Sequence, residues 1–264
     1  DLPLIHTLSL HDALPISNWL WACTAIYAFT FLAWLLWTIQ LRRQRSTTTT
    51  ATAPSAIAPG DQRRTVSKSK NHAAATDADV RGERIFHYLF TVAAFTGLIA
   101  YFTMASNLGN TPVRQFMNQG SSSGTGAFTR EVFYARYIYW FVAWPLVLIA
   151  SLLLSGLSWA SIFFAVTLLE IWIVSWLSGA LVSTRYRWGY YVFGAFSYIV
   201  LAYILLAWGR ASSRLTLLSK SYTMLAGLLA AVWMLYLIAW PLSEGSNRLS
   251  VTGEMVFYGI LDLI

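Results

Sequence analysis

Charge is scarce in this chain of 264 residues. Only 11% of its residues are Asp, Glu, Lys or Arg, where a soluble globular domain averages about 25%. So few charges cannot cover a soluble surface, which leaves lipid as the solvent. Cysteine is limited to Cys23, so an intrachain disulfide is excluded. The four histidines, His6, His11, His72 and His87, are scattered. No Gly-rich phosphate loop, metal-ligand spacing or nucleophile elbow occurs, and no internal repeat is visible. A soluble-type active site therefore has no support, and no enzymatic activity is expected.

Apolar and aromatic residues dominate instead. The chain is 57% hydrophobic and 16% aromatic, with a mean hydropathy of +0.54. Trp and Tyr are favoured at membrane interfaces. The formal charge is +7, a balance that invites a nucleic-acid partner. That partner is excluded because many of the basic residues cluster in loops between apolar runs.

A helix needs roughly 20 apolar residues to cross the hydrocarbon core. Runs of that order are found at Trp19–Gln40, Ile85–Asn107, Glu131–Leu154, Trp159–Val182, Trp188–Trp208 and Leu215–Leu242. A seventh begins at Val251 and reaches Ile264 after about 14 residues, short of a full crossing. The expected fold is an all-α bundle of seven transmembrane helices whose last helix is truncated. Thr7–Ile16 (TLSLHDALPI) looks like the in-frame translation of a sequencing adaptor. Residues 1–16 are therefore expected to be a non-native leader and 17–264 the helical domain. A weak signal peptide is the alternative, although Asp12 and His11 stand where its apolar core should be.

The longest connection, residues 42–84, is rich in Thr, Ala and Ser without helical or strand period, and is expected to be a disordered loop. It carries Arg42, Arg43, Arg45, Arg63, Arg64, Lys68 and Lys70, and the connection near Arg214 shares its side of the bundle. The opposite loops hold Arg114 and Arg130, Arg185 and Arg187, and Arg248. Basic loops stay cytoplasmic, which puts the N-terminus outside and the C-terminus inside. Asn118–Gly126 (NQGSSSGTG) is then a flexible outer loop.

Ionisable residues inside a membrane are costly and default to functional candidates. They are Arg136, in the string Arg136-Tyr137-Ile138-Tyr139-Trp140, then Glu170, and Asp262. Arg136 and Asp262 are expected to form a buried ion pair, because a lone charge in hydrocarbon is far costlier. Glu170 is read as capping a polar seam between helices. Trp233, Tyr236 and Trp240 follow an i, i+3, i+7 spacing and share one helix face. That face is either ordinary aromatic core or the wall of a pocket.

The string FYARYIYWFVAWPLVL (133–148) resembles the third helix of the microbial, or type I, rhodopsins, whose pattern is Arg-Tyr-x-Asp-Trp with a Pro five residues beyond the Trp. Trp233, Tyr236 and Trp240 followed by SEGSN resemble the sixth helix and its exit. EMVFYGILDLI (254–264) resembles the seventh helix just before its retinal lysine. SGALVSTRYRWGYYVFG (178–194) resembles the join of helices four and five, and SNWLWA (17–22) the opening of helix one. The wording is most similar to the fungal members. The resemblance implies a retinal pocket, vestigial or actual, built from Trp140, Trp233, Tyr236, Trp240 and Asp262. Arg136, Asp262 and Tyr139 would be its ion-pair and counterion positions.

Departures from the family pattern point away from pumping. Tyr139 stands where a pump carries its proton-accepting Asp, and a phenol of ordinary pKa of about 10 is not a resting anion at neutral pH. Ala143 replaces a Thr, and Ala150 stands at the proton-donor position. Trp172 and Trp176 replace smaller neighbours of the retinal, and Leu237 replaces a Pro. The family's lysine lies four residues past the helix-seven Asp, which here would be position 266, whereas the given chain ends at 264. Retinal is expected only where a lysine follows there.

Three readings stay open. One is a non-pumping opsin-related protein of the stress-induced plasma-membrane branch, with a structural, protective or signalling role. The others are a retinal photosensor and, least favoured, a light-driven ion pump or channel. The bilayer is the expected partner, with a homo-oligomer also open. Protease digestion of intact cells should cut an N-terminal tag and spare residues 42–84, and the opposite pattern would invert the topology.

Overall fold

The computed structural model describes the backbone of residues 10–50, 62–115, 129–214 and 219–264, and side chains at 16–40, 84–115, 129–214 and 219–264. Seven main helices form one bundle: α1 (Leu10–Thr50), α2 (Gln62–Ala105), α3 (Tyr134–Ser155), α4 (Trp159–Leu181), α5 (Arg187–Tyr203), α6 (Ser219–Trp240) and α7 (Val251–Leu263). A π turn at Ile204–Trp208 and a short helical end at Gly209–Ser213 prolong α5, and a π turn at Pro241–Gly245 prolongs α6. Six of these helices are long and apolar enough to cross a membrane among the described residues. With 13 residues and a rise of about 1.5 Å each, α7 reaches about 20 Å.

Helices satisfy every internal backbone group without water, which is why lipid admits them. The chain makes a ring in which each helix packs on the next, and α7 closes it between α1 and α6. The buried positions of α3 include Arg136, Tyr139, Trp140, Ala143 and Trp144, an i, i+3, i+4 stripe that faces the bundle axis. Gly156 ends α3 in the left-handed conformation at φ 73°, and Ser158 and Ser250 cap α4 and α7 with their hydroxyls.

Three boundaries differ from the sequence expectation. The third helix begins at Tyr134 rather than Glu131, because Thr129–Val132 (β2) pairs antiparallel with Thr111–Arg114 (β1). Val113 and Val132 bury one face of this hairpin, so packing outweighs the apolar run's helical pattern. The connection at 42–84 is helical over 42–50 and 62–84. Its Ala, Arg, Gln and Lys are good helix formers, and α1 and α2 supply the nucleus that an isolated stretch lacks. Helix α1 starts at Leu10, ahead of the expected boundary at 16, and Ile16 joins the core beside Leu20. Residues 1–9, 51–61 and the Asn118–Gly126 loop lie outside the described residues.

The turn from α2 into β1 depends on Gly109, at φ 70°. A Cβ built there would lie 2.6 Å from Ala135 Cβ, and its carbonyl accepts from Ala135 N at 3.0 Å. Gly109→Ala should cost about 1–3 kcal/mol, read as a lower melting temperature in detergent. Gly227, with open space around its Cβ position, is the control, and Gly227→Ala should leave the melting temperature unchanged or raise it.

Candidate functional site

Midway along the bundle, Asp262 on α7 is held by neutral donors. Tyr101 of α2 donates to Oδ2 at 2.6 Å, and Tyr236 of α6 and Trp140 of α3 donate to Oδ1 at 2.5 and 2.9 Å. Tyr27 of α1 donates to the Asp262 carbonyl at 2.6 Å and lies 2.8 Å from Tyr139 Oη. A phenol has one proton. With the Tyr27 proton on the carbonyl, Tyr139 donates to Tyr27. Tyr139 is thus a neutral donor beside a carboxyl group, and it has no hydrogen bond to that group.

The expected Arg136–Asp262 pair does not form. Arg136 is 1% exposed and turns toward the hairpin end of the bundle, where Nη1 meets Glu254 Oε1 at 2.7 Å and Glu244 Oε1 at 3.7 Å. Its guanidinium lies 4.3 Å over the Tyr258 ring. Asp262, already filled by three donors, has no ion pair among the described residues. The physical reason is proximity: Glu254 and Glu244 offer Arg136 nearer carboxylates than Asp262 does.

Two loop arginines join this cluster, although the sequence placed them as topology signals. Arg130 of β2 pairs with Glu254 Oε2 and donates to the Leu249 carbonyl at 2.8 Å. Arg187 donates to Gln115 Oε1 at 2.7 Å and to the Glu244 and Val182 carbonyls, each at 2.8 Å. Glu244 also accepts from Tyr137 at 2.9 Å and from Ser243. The nearby Glu131 carboxyl, on the hairpin, is raised above its ordinary range by burial. Glu170 is half-buried on α4, and its Oε2 has no partner among the described residues.

Between these groups runs a column of rings. Trp140 stacks on Trp144 at 4.9 Å, and Trp144 meets Tyr236 at 4.8 Å, Trp172 at 5.3 Å and Trp233 at 5.6 Å. Trp172 meets Trp176 at 5.1 Å, and Trp176 meets Trp240 at 5.9 Å. These centroid separations are those of rings in contact. A cavity of about 510 Å³ lies past the column, beside Phe90, Trp144, Ala150, Trp233 and Asp262. Trp140, Trp172, Trp176 and Trp240 do not line it.

A family model described as bacteriorhodopsin-like protein matches residues 73–264, well over half of the chain. The chain belongs to the bacteriorhodopsin-like family. An opsin-like protein, carO, of Fusarium fujikuroi is 42% identical over 190 residues, 70% of this chain and 60% of that protein. This opsin-related chain therefore spans less than two thirds of that relative. Protein FDD123 of Trametes versicolor is 34% identical and covers 94% of the chain and 72% of that protein. The 30 kDa heat shock protein of Saccharomyces cerevisiae is 31% identical over 98% of the chain and 71% of that protein. Among solved structures, the light-driven proton pump of Coccomyxa subellipsoidea superposes with a TM-score of 0.72 at 26% identity, covering 98% of this chain and 93% of that one.

The family implies retinal, and the residues present do not fit it. The indoles that would sandwich a polyene instead touch other rings: Trp140 and Trp233 meet Trp144, and Trp240 meets Trp176. Trp140, Tyr236 and Asp262 do converge, with Trp233 one ring away through Trp144. Trp240 lies nearer the hairpin, donating to Tyr137 Oη at 3.0 Å. Sequence reasoning noted Trp144 beside the Arg136 string without assigning it to the pocket, and it missed Tyr27, Tyr101, Glu244, Glu254 and Arg130 as members of the site. The i+4 spacing of Trp140 and Trp144 was a legible signal, as was the placing of Glu254 eight residues before Asp262.

Glu254→Gln should be the most damaging single change in this region. It leaves two buried guanidiniums underpaired, at about 3–5 kcal/mol. Asp262→Asn faces neutral donors and should cost about 1–3 kcal/mol. Unfolding titrations in mixed micelles rank the two, and equal costs would show that Glu254 is not the greater anchor.

Proposed function

We propose that this chain is a non-pumping, opsin-related protein of the plasma membrane with a stress-associated structural or signalling role. The observation that carries this reading is the state of Tyr139: a neutral phenol whose proton is committed to Tyr27. Vectorial transfer needs a group that accepts a proton and one that supplies it. Position 139 offers a phenol and position 150 a methyl group. Asp262 is held by three neutral donors, Tyr101, Tyr236 and Trp140.

Similarity to a 30 kDa heat shock protein at 31% identity supports the stress association. The basic residues of 42–50 and 62–84 support a cytoplasmic side for that connection, with the N-terminus outside. No step in this reading makes or breaks a covalent bond, so it describes no enzyme. Retinal takes no part in it, the indole column being closed.

Proteoliposomes holding the protein, incubated with all-trans retinal and illuminated, should show no pH change beyond that of empty liposomes. A light-dependent pH change abolished by a protonophore would overturn the reading. The same outcome is expected for Tyr139→Asp, since Ala150 still has no proton to supply.

A further inference from the structure

We propose that Tyr236, hydrogen-bonded to Asp262, is a one-electron sink, and that the aromatic rings leading to it carry oxidising equivalents inward from lipid peroxyl radicals. The inference goes beyond the non-pumping reading and does not rest on it. It stands on a connected path of rings and on a proton acceptor at the end of that path.

The path begins at Trp188, half-buried at the hairpin end of the bundle, where Trp is favoured at the membrane interface. Trp188 meets Trp240 at 6.4 Å. From Trp240 two routes lead to Tyr236. The shorter passes through Tyr137, which accepts from Trp240 Nε1 at 3.0 Å, and then through Trp140, 5.0 Å from Tyr137 and 5.2 Å from Tyr236. The longer runs from Trp240 to Trp176 at 5.9 Å, on to Trp172 at 5.1 Å and to Trp144 at 5.3 Å, which meets Tyr236 at 4.8 Å. Every step joins neighbouring rings, so no step has to span an intervening side chain.

Ring contact alone describes any aromatic core. The inner end of the path distinguishes this one. An oxidised phenol is a strong acid, and it keeps the hole only if its proton leaves to a base within hydrogen-bond reach. Tyr236 Oη donates to Asp262 Oδ1 at 2.5 Å, so that base is already in place. Tyr137 also donates to a carboxyl group, Glu244 Oε1 at 2.9 Å. However, Arg136 Nη1 lies 3.7 Å from the same oxygen, and a fixed positive charge opposes a hole on the adjacent ring. Tyr137 therefore passes the hole on. In the complete step a peroxyl radical takes one electron from Trp188 and a proton from the aqueous interface, and becomes a hydroperoxide. One electron moves outward from Tyr236 to Trp188, and the phenolic proton moves to the Asp262 carboxylate. The products are one hydroperoxide, one phenoxyl radical at Tyr236 and one neutral carboxyl at Asp262.

The test uses azide radicals made by pulse radiolysis, which oxidise indoles, with the protein in detergent micelles. Transient absorption separates indolyl from phenoxyl radicals. The wild type should show an indolyl band that decays as a phenoxyl band grows. Tyr236→Phe keeps the packing and should lose most of the phenoxyl growth. Asp262→Asn keeps every ring and removes the base, so its hole should stay on the indoles. Trp188→Phe should lower the phenoxyl yield, the entrance being gone. No phenoxyl growth in the wild type, or equal growth in Tyr236→Phe or Asp262→Asn, would overturn the proposal. Where Asp262→Asn fails to fold, phenoxyl growth in the wild type should be slower in heavy water, and equal rates in light and heavy water would overturn the proton transfer. In liposomes of polyunsaturated phosphatidylcholine with an azo initiator, the wild type should slow conjugated-diene formation relative to Tyr236→Phe. Equal rates there would overturn the assignment of lipid peroxyl radicals as the oxidant.

Discussion

Glu254 is the group on which the architecture turns. It is 2% exposed and bonds two guanidiniums, Arg136 from α3 and Arg130 from β2. An ionised carboxylate away from water is tolerable only when its lone pairs are filled by charged donors of good geometry. Glu254 meets that condition by linking the hairpin, α3 and α7. Arg187 extends the tie to α5 and to the end of α6 through the Glu244 carbonyl.

The contrast with Asp262 shows what a cation is for. The two carboxyls are eight residues apart on α7, about 12 Å along the axis. Glu254 takes charge-assisted bonds, which are short and strong. Asp262 takes three bonds from neutral phenols and an indole. These bonds tie α2, α3, α6 and α7 together at Asp262.

Much of this was legible in the sequence, and the limits of legibility are physical. Span positions followed from apolar run length, since lipid imposes a minimum on every helix. Arg136 in α3 and Asp262 in α7 were legible because charge is rare in such runs. Which charge meets which was not. Arg136 could have reached Asp262 or Glu254 from its place on α3, and only the three-dimensional position of the acids decides between them. The hairpin was hidden because Thr129–Val132 reads as the start of an apolar run, while its partner Thr111–Arg114 is distant in the chain. Arg130 and Arg187 read as loop charges because linear position says nothing of burial.

On the non-pumping reading proposed above, the loss of relay groups and the closure of the indole column follow from one another. A pocket that holds a ligand is stabilised by that ligand, since anything that binds the native state alone adds to its stability. Without a ligand, the same void forfeits dispersion contacts and lowers stability in proportion to its volume. A bundle with no acceptor at position 139 gains no transport from keeping a polyene, and large rings that fill the void are then favoured. Trp144, Trp172 and Trp176 are such rings, and their contacts at 4.9–5.3 Å replace those a ligand would make. On that reading the filled column and the phenol at 139 are two sides of one change, in which stability comes from the chain itself.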